Sequence, residues 1–140
     1  MSATERKPLV LITGATGYIG RRLTHHLLSG DRHKLRLFVR NQRKVQASVA
    51  DSVEIVEGTT FEPETLPPAL KDVDTAFYLI HSMGSDEDYQ KLDIQSADNF
   101  RRACIAAGVR RIIYLGGLGH GEDLSRHLAS RQETGRILAA

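Results

Sequence analysis

The chain has 140 residues, of which 41% are hydrophobic and 26% charged, a composition that predicts one globular domain. Its single cysteine, Cys104, excludes an intramolecular disulfide and a cysteine-based metal cluster. No stretch approaches the roughly 20 apolar residues of a membrane span, and the polar start lacks the apolar core of a secretion signal. These features predict a cytoplasmic protein in which residues 1–7 form a flexible leader and residues 8–140 form the domain.

Charge is segregated along the chain although the net charge is only +2. Residues 1–47 carry ten Lys and Arg against two acids, whereas residues 48–98 carry two Lys against twelve acids. A basic first third is also found in nucleic-acid-binding proteins. However, no aromatic residues interleave these arginines to form a stacking platform, so the pattern favours a basic rim around a phosphate-bearing cofactor over a nucleic-acid site.

Short apolar segments bounded by glycine, proline or polar residues predict five strands. The first is a continuous apolar run, which is typical of a strand buried on both faces. The predicted strands are Leu9–Ile12, Leu35–Val39, Val53–Val56, Val73–Ile80 and Ile112–Leu115.

Helices are predicted between these strands, in alternation with them. The first carries Ile19, Leu23 and Leu27 at four-residue spacing and stops at Gly30. Asn41 caps a short helix that extends to about Ala50, and a helix after Pro63 is shortened or broken by two further prolines. The longest helix covers about 86–107, with a predicted inner face of Tyr89, Leu92, Ser96, Phe100, Ala103 and Ala107. A last helix begins near Asp123, with Leu124, Leu128 and Leu138 facing inward.

Five βα units in succession predict a doubly wound α/β fold of the Rossmann type, with a parallel sheet in the order 3-2-1-4-5 and helices on both faces. The chain stops before a sixth strand, so we expect it to be the cofactor-binding half of a longer protein. The fifth strand is then an apolar open edge, and such an edge favours a homodimer.

The segment Thr13–Gly20 joins the first strand to the first helix and carries three glycines spaced as G-x-x-G-x-x-G. Gly14 permits the tight turn out of the strand, Gly17 lets the backbone approach a pyrophosphate, and Gly20 lets the helix pack on the sheet. The N–H groups near Tyr18 and Ile19 then face the phosphates at the positive end of the helix. This turn predicts a dinucleotide site.

Arg40 ends the second strand, where an acid would bind the ribose 2′-hydroxyl of NAD. Arg43 and Lys44 follow within one turn, and no acid follows the strand nearby. A guanidinium makes two charge-assisted bonds with a 2′-phosphate, so the pattern favours NADP over NAD.

The Thr13–Gly20 turn resembles the TGxxGxxG motif of extended and atypical short-chain dehydrogenases/reductases. The segments Tyr78–Gly84 and Tyr114–Gly119, followed by Leu124–Leu128, resemble a subgroup of bacterial NAD(P)H-binding proteins described as epimerase-like or NmrA-like. The resemblance covers nearly the whole chain and implies a Rossmann domain of an oxidoreductase or epimerase-like protein.

Several cofactor contacts are implied by this resemblance. Thr16, with the glycine turn, lines the pyrophosphate, and Arg40 and Lys44 meet the 2′-phosphate. Thr59 and Thr60 stand at the adenine, although the family commonly has an aspartate near Thr59. The nicotinamide side is implied to hold Ile80, His81, Ser82 and Met83.

The catalytic residues depart from the family pattern of a Tyr-x-x-x-Lys pair with a nearby Ser or Thr. His127 stands at the tyrosine position and Arg131 at the lysine position, while the serine region reads Gly116-Gly117. His127 has the pKa range of a general acid or base, as does His81 at the end of the fourth strand, whereas Arg131 can only orient the cofactor. The histidines lack the spacing and third partner of a metal site, so none is predicted.

Two functions remain open from the sequence. The first is an NADP(H)-binding domain of an oxidoreductase that transfers hydride between nicotinamide and a carbonyl or alcohol. The second is a non-catalytic NADP(H) sensor or scaffold, which the absence of the Tyr/Lys pair favours.

Overall fold

A five-stranded parallel sheet forms the centre of the molecule, in the order β3-β2-β1-β4-β5. The structure, a computed structural model, describes residues 7–80, 87–115 and 134–139. This order confirms the predicted doubly wound topology. The strands are β1 (Leu9–Thr13), β2 (Lys34–Val39), β3 (Glu54–Glu57), β4 (Thr75–Tyr78) and β5 (Arg111–Tyr114).

Helices follow the strands as the alternating pattern predicts. They are α1 (Tyr18–Gly30), α2 (Ala47–Ala50), α3 (Leu66–Leu70) and α4 (Glu87–Ala107), with a helical segment at 134–139. Single 3-10 turns at Gln42–Lys44 and Pro63–Thr65 precede α2 and α3. The predicted helix after Asn41 is therefore two pieces, because Gln46 between them has an extended backbone.

The core consists of two apolar clusters, one on each face of the sheet. Leu9 and Leu11 of β1 point into the cluster with α3 and α4, whereas Val10 and Ile12 point into the cluster with α1 and α2. All of β1 is buried. The alternating side chains of one central strand thus belong to both halves of the core, as predicted for a continuous apolar run.

The inner face of α4 differs from the predicted face. Leu92 and Ala107 are exposed, and Asp93 and Ala97 are buried instead. Ser96, which was predicted correctly, bonds through its hydroxyl to the hydroxyl of Thr60 at 2.6 Å and to that of Tyr78. Polar side chains on this face are buried because partners on other elements satisfy them, and no apolar periodicity reveals such partners.

The ends of the long helices are partly as expected. Gly108 follows α4 with a φ of +76°, the left-handed conformation of a C-terminal stop. Gly30 instead is the last residue of α1, and Asp31 takes the left-handed conformation at φ 50°. Lys7 holds the Asp31 carboxylate at 2.8 Å.

β5 is the last strand at one edge of the described sheet and pairs with β4. Ile113 and Leu115 are substantially exposed there. Leu138 of the C-terminal helical segment is buried in the core, as predicted, while Leu124 and Leu128 lie outside the described residues. The homodimer at this edge stays a prediction, as do the domain limits.

Candidate functional site

The glycine turn leaves β1 at the carboxyl edge of the sheet, the edge where ligands bind in folds of this type. Thr13 is fully buried at the last position of β1. Its hydroxyl donates to the carbonyl of Phe77 at 2.8 Å and accepts the N–H of Leu79 at 3.2 Å. This buried threonine, which the sequence analysis did not single out, ties the start of the turn to β4.

Two of the three glycines are required by the protein itself. Gly14 has a φ of +69°, and a Cβ on it would lie 2.7 Å from the carbonyl oxygen of Leu79. A Cβ on Gly20 would lie only 2.2 Å from the carbonyl oxygen of Gly14. The turn can therefore close against β4 and against α1 only with glycine at both positions.

Gly17 differs from the other two because no contact among the described residues requires a glycine there. Its φ is an ordinary −79°, and the nearest atom to an added Cβ is the carbonyl oxygen of Gly14, 3.4 Å away. Gly17 is also exposed. A glycine that the fold does not need is expected where a ligand approaches the backbone, as a pyrophosphate does in this motif.

The start of α1 is electrostatically suited to an anion. Gly17 is the N-cap, no side chain caps the helix, and its first turn contains no acid. The first N–H groups of a helix have no partner within the helix, and they carry partial positive charge. Tyr18 and Ile19, whose side chains are exposed, contribute two of these groups, and Arg22 lies 4.7 Å from the Tyr18 ring centroid.

A cleft of about 610 Å³ opens at this edge. This volume is within the range of small-molecule sites. Eight predicted cofactor residues line it: Gly14, Thr16, Gly17, Arg40, Lys44, Thr59, Thr60 and Ile80. Tyr18, Ile19 and Gly20 begin α1 directly after this lining. The remaining predicted site residues, which lie outside the described residues, are His81, Ser82, Met83, His127 and Arg131.

The charged lining of the cleft is positive. Arg40 and Lys44 both line it, and no acid does so among the residues that the structure describes. Neither side chain forms an ion pair within that part of the chain. Two exposed cations that pair with no carboxylate among the described residues give this part of the cleft a positive charge.

No acid follows β2 closely along the chain, as the sequence analysis states, but the pairing of β3 with β2 brings one near the end of β2 in space. β3 pairs with β2 so that Glu57 lies opposite Val39. The Glu57 carboxylate accepts the backbone N–H of Gln42 at 3.0 Å. Parallel pairing brings together residues 18 positions apart, and the sequence analysis did not find Glu57 because β3 was predicted to end one residue earlier.

The loop after β3 lines the cleft at the residues for which the resemblance implies adenine contacts. The Thr59 hydroxyl accepts the N–H of Phe61 at 3.3 Å, and the half-exposed Phe61 ring lines the cleft. Thr60 is buried, with its hydroxyl turned to Ser96. Phe61 was missed as a lining residue because it is a single apolar residue in a polar stretch. Leu92 was missed because it was assigned to the inner face of α4, whereas it is exposed and lines the cleft.

A second and larger cleft, of about 740 Å³, lies at the opposite edge of the sheet. Its cations are neutralised, since Lys7 pairs with Asp31 at 2.8 Å, and Lys34 and Arg36 pair with Glu54 at 3.3 and 3.0 Å. Burial alone raises the pKa of the Glu54 carboxyl, but hydrogen bonds and charges from Lys34 and Arg36 outweigh burial and hold this pKa below its ordinary value.

The helices of the described ranges 7–80, 87–115 and 134–139 include none that is long and apolar enough to cross a bilayer. No group of three or more His, Cys, Asp or Glu comes close enough there to hold a metal ion.

The parallel sheet, the glycine turn and the positive cleft define a dinucleotide-binding Rossmann domain. The chain belongs to the NAD(P)H-binding family, whose sequence profile matches residues 14–140. This membership confirms the predicted class of NAD(P)-binding oxidoreductase-like and epimerase-like proteins.

The chain is also similar, at low identity, to a protein of established name. The chain is 28% identical over 106 residues to the photosystem II assembly factor Ycf39 of Synechocystis, covering 75% of this chain and 32% of that protein. It thus spans about a third of the length of that relative.

Solved structures agree with the fold. The triphenylmethane reductase of Citrobacter, complexed with NADP(H), is 28% identical with a TM-score of 0.79, over 93% of this chain and 45% of that one. The NADPH-dependent quinone oxidoreductase QOR2 of Escherichia coli, complexed with NADPH, is 26% identical with a TM-score of 0.78, over 93% and 44%.

Proposed function

We propose that the chain is an NADP(H)-binding domain of an oxidoreductase that exchanges hydride between nicotinamide and a carbonyl or alcohol substrate. One observation carries the choice of NADP(H): Arg40 and Lys44 line the cleft, and no acid lines it in the described part of the chain. The NADP(H) and NADPH complexes of the two solved reductases support the same choice.

Each part of the cleft has a role in this proposal. The N–H groups at the start of α1 bind the pyrophosphate, with Gly17 allowing its close approach. Arg40 and Lys44 bind the 2′-phosphate, and Phe61 contacts the adenine face. Ile80, His81 and Ser82 support the ribose and nicotinamide. When bound, the nicotinamide supplies the hydride chemistry, and the protein supplies position and electrostatics.

Thermal unfolding with NADPH, NADH and duplex DNA tests this proposal. NADPH at a hundredfold excess over its Kd raises the free energy of unfolding by ~2.7 kcal/mol, because it binds the folded state alone. NADH gives a smaller increase at equal concentration, and DNA gives none. No shift with either dinucleotide would contradict the proposed function, and a larger shift with NADH would contradict the preference.

A second candidate is a non-catalytic NADP(H)-binding scaffold whose cofactor stabilises a partner interface. Two observations favour it: one relative is named as an assembly factor, and His127 and Arg131 replace the family's Tyr and Lys. NADPH oxidation over a panel of carbonyl compounds separates the two candidates. Turnover that disappears in His127→Ala or His81→Ala supports the oxidoreductase, while NADPH binding without turnover of any carbonyl supports the scaffold.

A further inference from the structure

The 3-10 turn Gln42–Lys44 carries Lys44 of the positive cleft lining. Two side-chain acceptors bind its backbone N–H groups, and the Gln42 side-chain amide also donates to the Glu57 carboxylate at 3.5 Å. Inside the turn, Lys44 N–H bonds to the Asn41 carbonyl and Val45 N–H to the Gln42 carbonyl, both at 3.1 Å. The first two N–H groups have no such internal acceptor. The Asn41 side chain accepts a hydrogen bond from the backbone N–H of Arg43 at 3.0 Å. The Glu57 carboxylate accepts one from the backbone N–H of Gln42, also at 3.0 Å.

These two bonds differ in what they join. The Asn41 bond is local, so it stabilises the shape of the turn and leaves its position free. The Glu57 bond joins the turn to β3, next to the point where the Gly58 N–H bonds to the Val39 carbonyl at 3.0 Å. An exposed turn gains a defined position when such a bond connects it to the sheet.

We propose that Glu57 is a positioning residue for the 2′-phosphate site, because its carboxylate holds the turn that carries Lys44 at the cleft, four residues after Arg40. This inference rests on the proposed NADP(H)-binding function. The negative charge of Glu57 has the wrong sign to bind a phosphate directly, and Glu57 does not line the cleft. Its carboxylate is directed to the Gln42 N–H, so it acts on the phosphate through the turn.

The test compares two variants of the full chain by calorimetric titration with NADPH and with NADH. Glu57→Ala removes the acceptor, and we expect it to weaken NADPH binding roughly three- to tenfold, the effect of a lost backbone cap. NADH, which lacks the 2′-phosphate, keeps its Kd. Glu57→Gln retains an acceptor oxygen for the Gln42 N–H and therefore retains the NADPH/NADH ratio. Glu64→Ala, an exposed acid in the Pro63–Thr65 turn, is the matched control for charge.

Three outcomes overturn the inference. Equal loss of affinity for both dinucleotides in Glu57→Ala means a general structural role. Tighter NADPH binding in both Glu57 variants means that the carboxylate acts by repelling the phosphate. Unchanged ratios in both mean that the turn needs no anchor. If the unaltered chain binds neither dinucleotide, the proposed function itself fails, which is a separate result.

A rescue variant tests the positioning role of Glu57 through a gain of NADPH affinity and not through a loss. Proline is tolerated at the first position of a helical turn, and Asn41 before it has the extended backbone that proline requires. Gln42→Pro in the Glu57→Ala background removes the N–H that lost its acceptor and restricts the turn. We expect recovery of the NADPH/NADH ratio, and a stable double variant that does not recover it contradicts the positioning role.

Discussion

The two clefts at opposite edges of the sheet have similar volumes and opposite chemistry. At the amino edge, about 740 Å³ is surrounded by cations that already pair with Asp31 and Glu54. At the carboxyl edge, about 610 Å³ is bordered by Arg40 and Lys44, with no lining acid among the described residues. The larger volume belongs to the amino-edge cleft. The pairing of the charges, together with the α1 N–H groups, nevertheless favours the carboxyl-edge cleft for an anionic ligand.

The largest expected effect is the loss of stability on substituting Gly20, and Gly17, three residues earlier, serves as its comparison. Gly20→Ala is expected to lower the free energy of unfolding by roughly 3 kcal/mol, because its Cβ overlaps the Gly14 carbonyl oxygen. Gly17→Ala is expected to change that free energy by less than about 1 kcal/mol while weakening NADPH binding more than about tenfold. Urea unfolding and calorimetric titration measure both. Equal losses of stability in the two variants would mean that Gly17 serves the fold and not the ligand.

Two arginines, one in each cleft, test directly whether the amino-edge cations serve stability and the carboxyl-edge cations serve binding. Arg36 donates to Glu54 at 3.0 Å and to the carbonyls of Ala69 and Lys71 at 2.7 and 2.8 Å. Arg36→Ala is expected to cost about 2 kcal/mol of stability, because these acceptors lose a charged donor, and to leave the NADPH/NADH ratio unchanged.

Arg40→Ala is the opposite case, since Arg40 is exposed and forms no ion pair within the described residues. We expect little change in stability and a loss of NADPH affinity of roughly tenfold or more, the value of a charge-assisted bond. Arg40→Asp moves the preference toward NADH. An unchanged cofactor ratio in both Arg40 variants would remove the basis for preferring NADP(H).

The smallest effect concerns the acid response of the amino-edge cleft. The pKa of Glu54 is lowered in the folded chain, so its contribution to stability is present above the unfolded pKa of about 4.3 and is lost as the pH falls through the folded pKa. Since the side chain is partly exposed, this contribution is below about 1 kcal/mol. Urea midpoints from pH 6 to pH 3 should fall less in Glu54→Gln than in the unaltered chain. A Glu64→Gln control should behave like the unaltered chain, and identical slopes in all three would exclude the effect.

Prediction from sequence worked where a signal lies within one stretch of chain. The apolar run of β1 followed by three glycines contains the strand, the turn and the start of α1 in twelve residues. Prediction of α4 was less accurate, because Asp93 and Ser96 are polar residues on a buried face. An apolar pattern leaves such residues out unless their partners are known.

The site shows the same division. The glycine turn, Arg40, Lys44, Thr59 and Ile80 were predicted, and they meet in one cleft. Glu57 was missed because only its register opposite β2 brings it to Gln42. Thr13 was missed because it acts through contacts with residues distant in sequence. Phe61 was missed because it is a single side chain at the cleft wall.

The sequence by itself determined the alternation of strands and helices, the order of the sheet and the presence of a dinucleotide turn. Hydrophobic periodicity and glycine spacing are local properties, and right-handed crossovers leave few topologies for them. Only the tertiary structure decided which cations stay available. Arg36 and Arg40 both belong to the β2 region, and pairing with Glu54 at one end of β3 neutralises the first. At the other end Glu57 turns to a backbone N–H instead, which leaves Arg40 at the cleft.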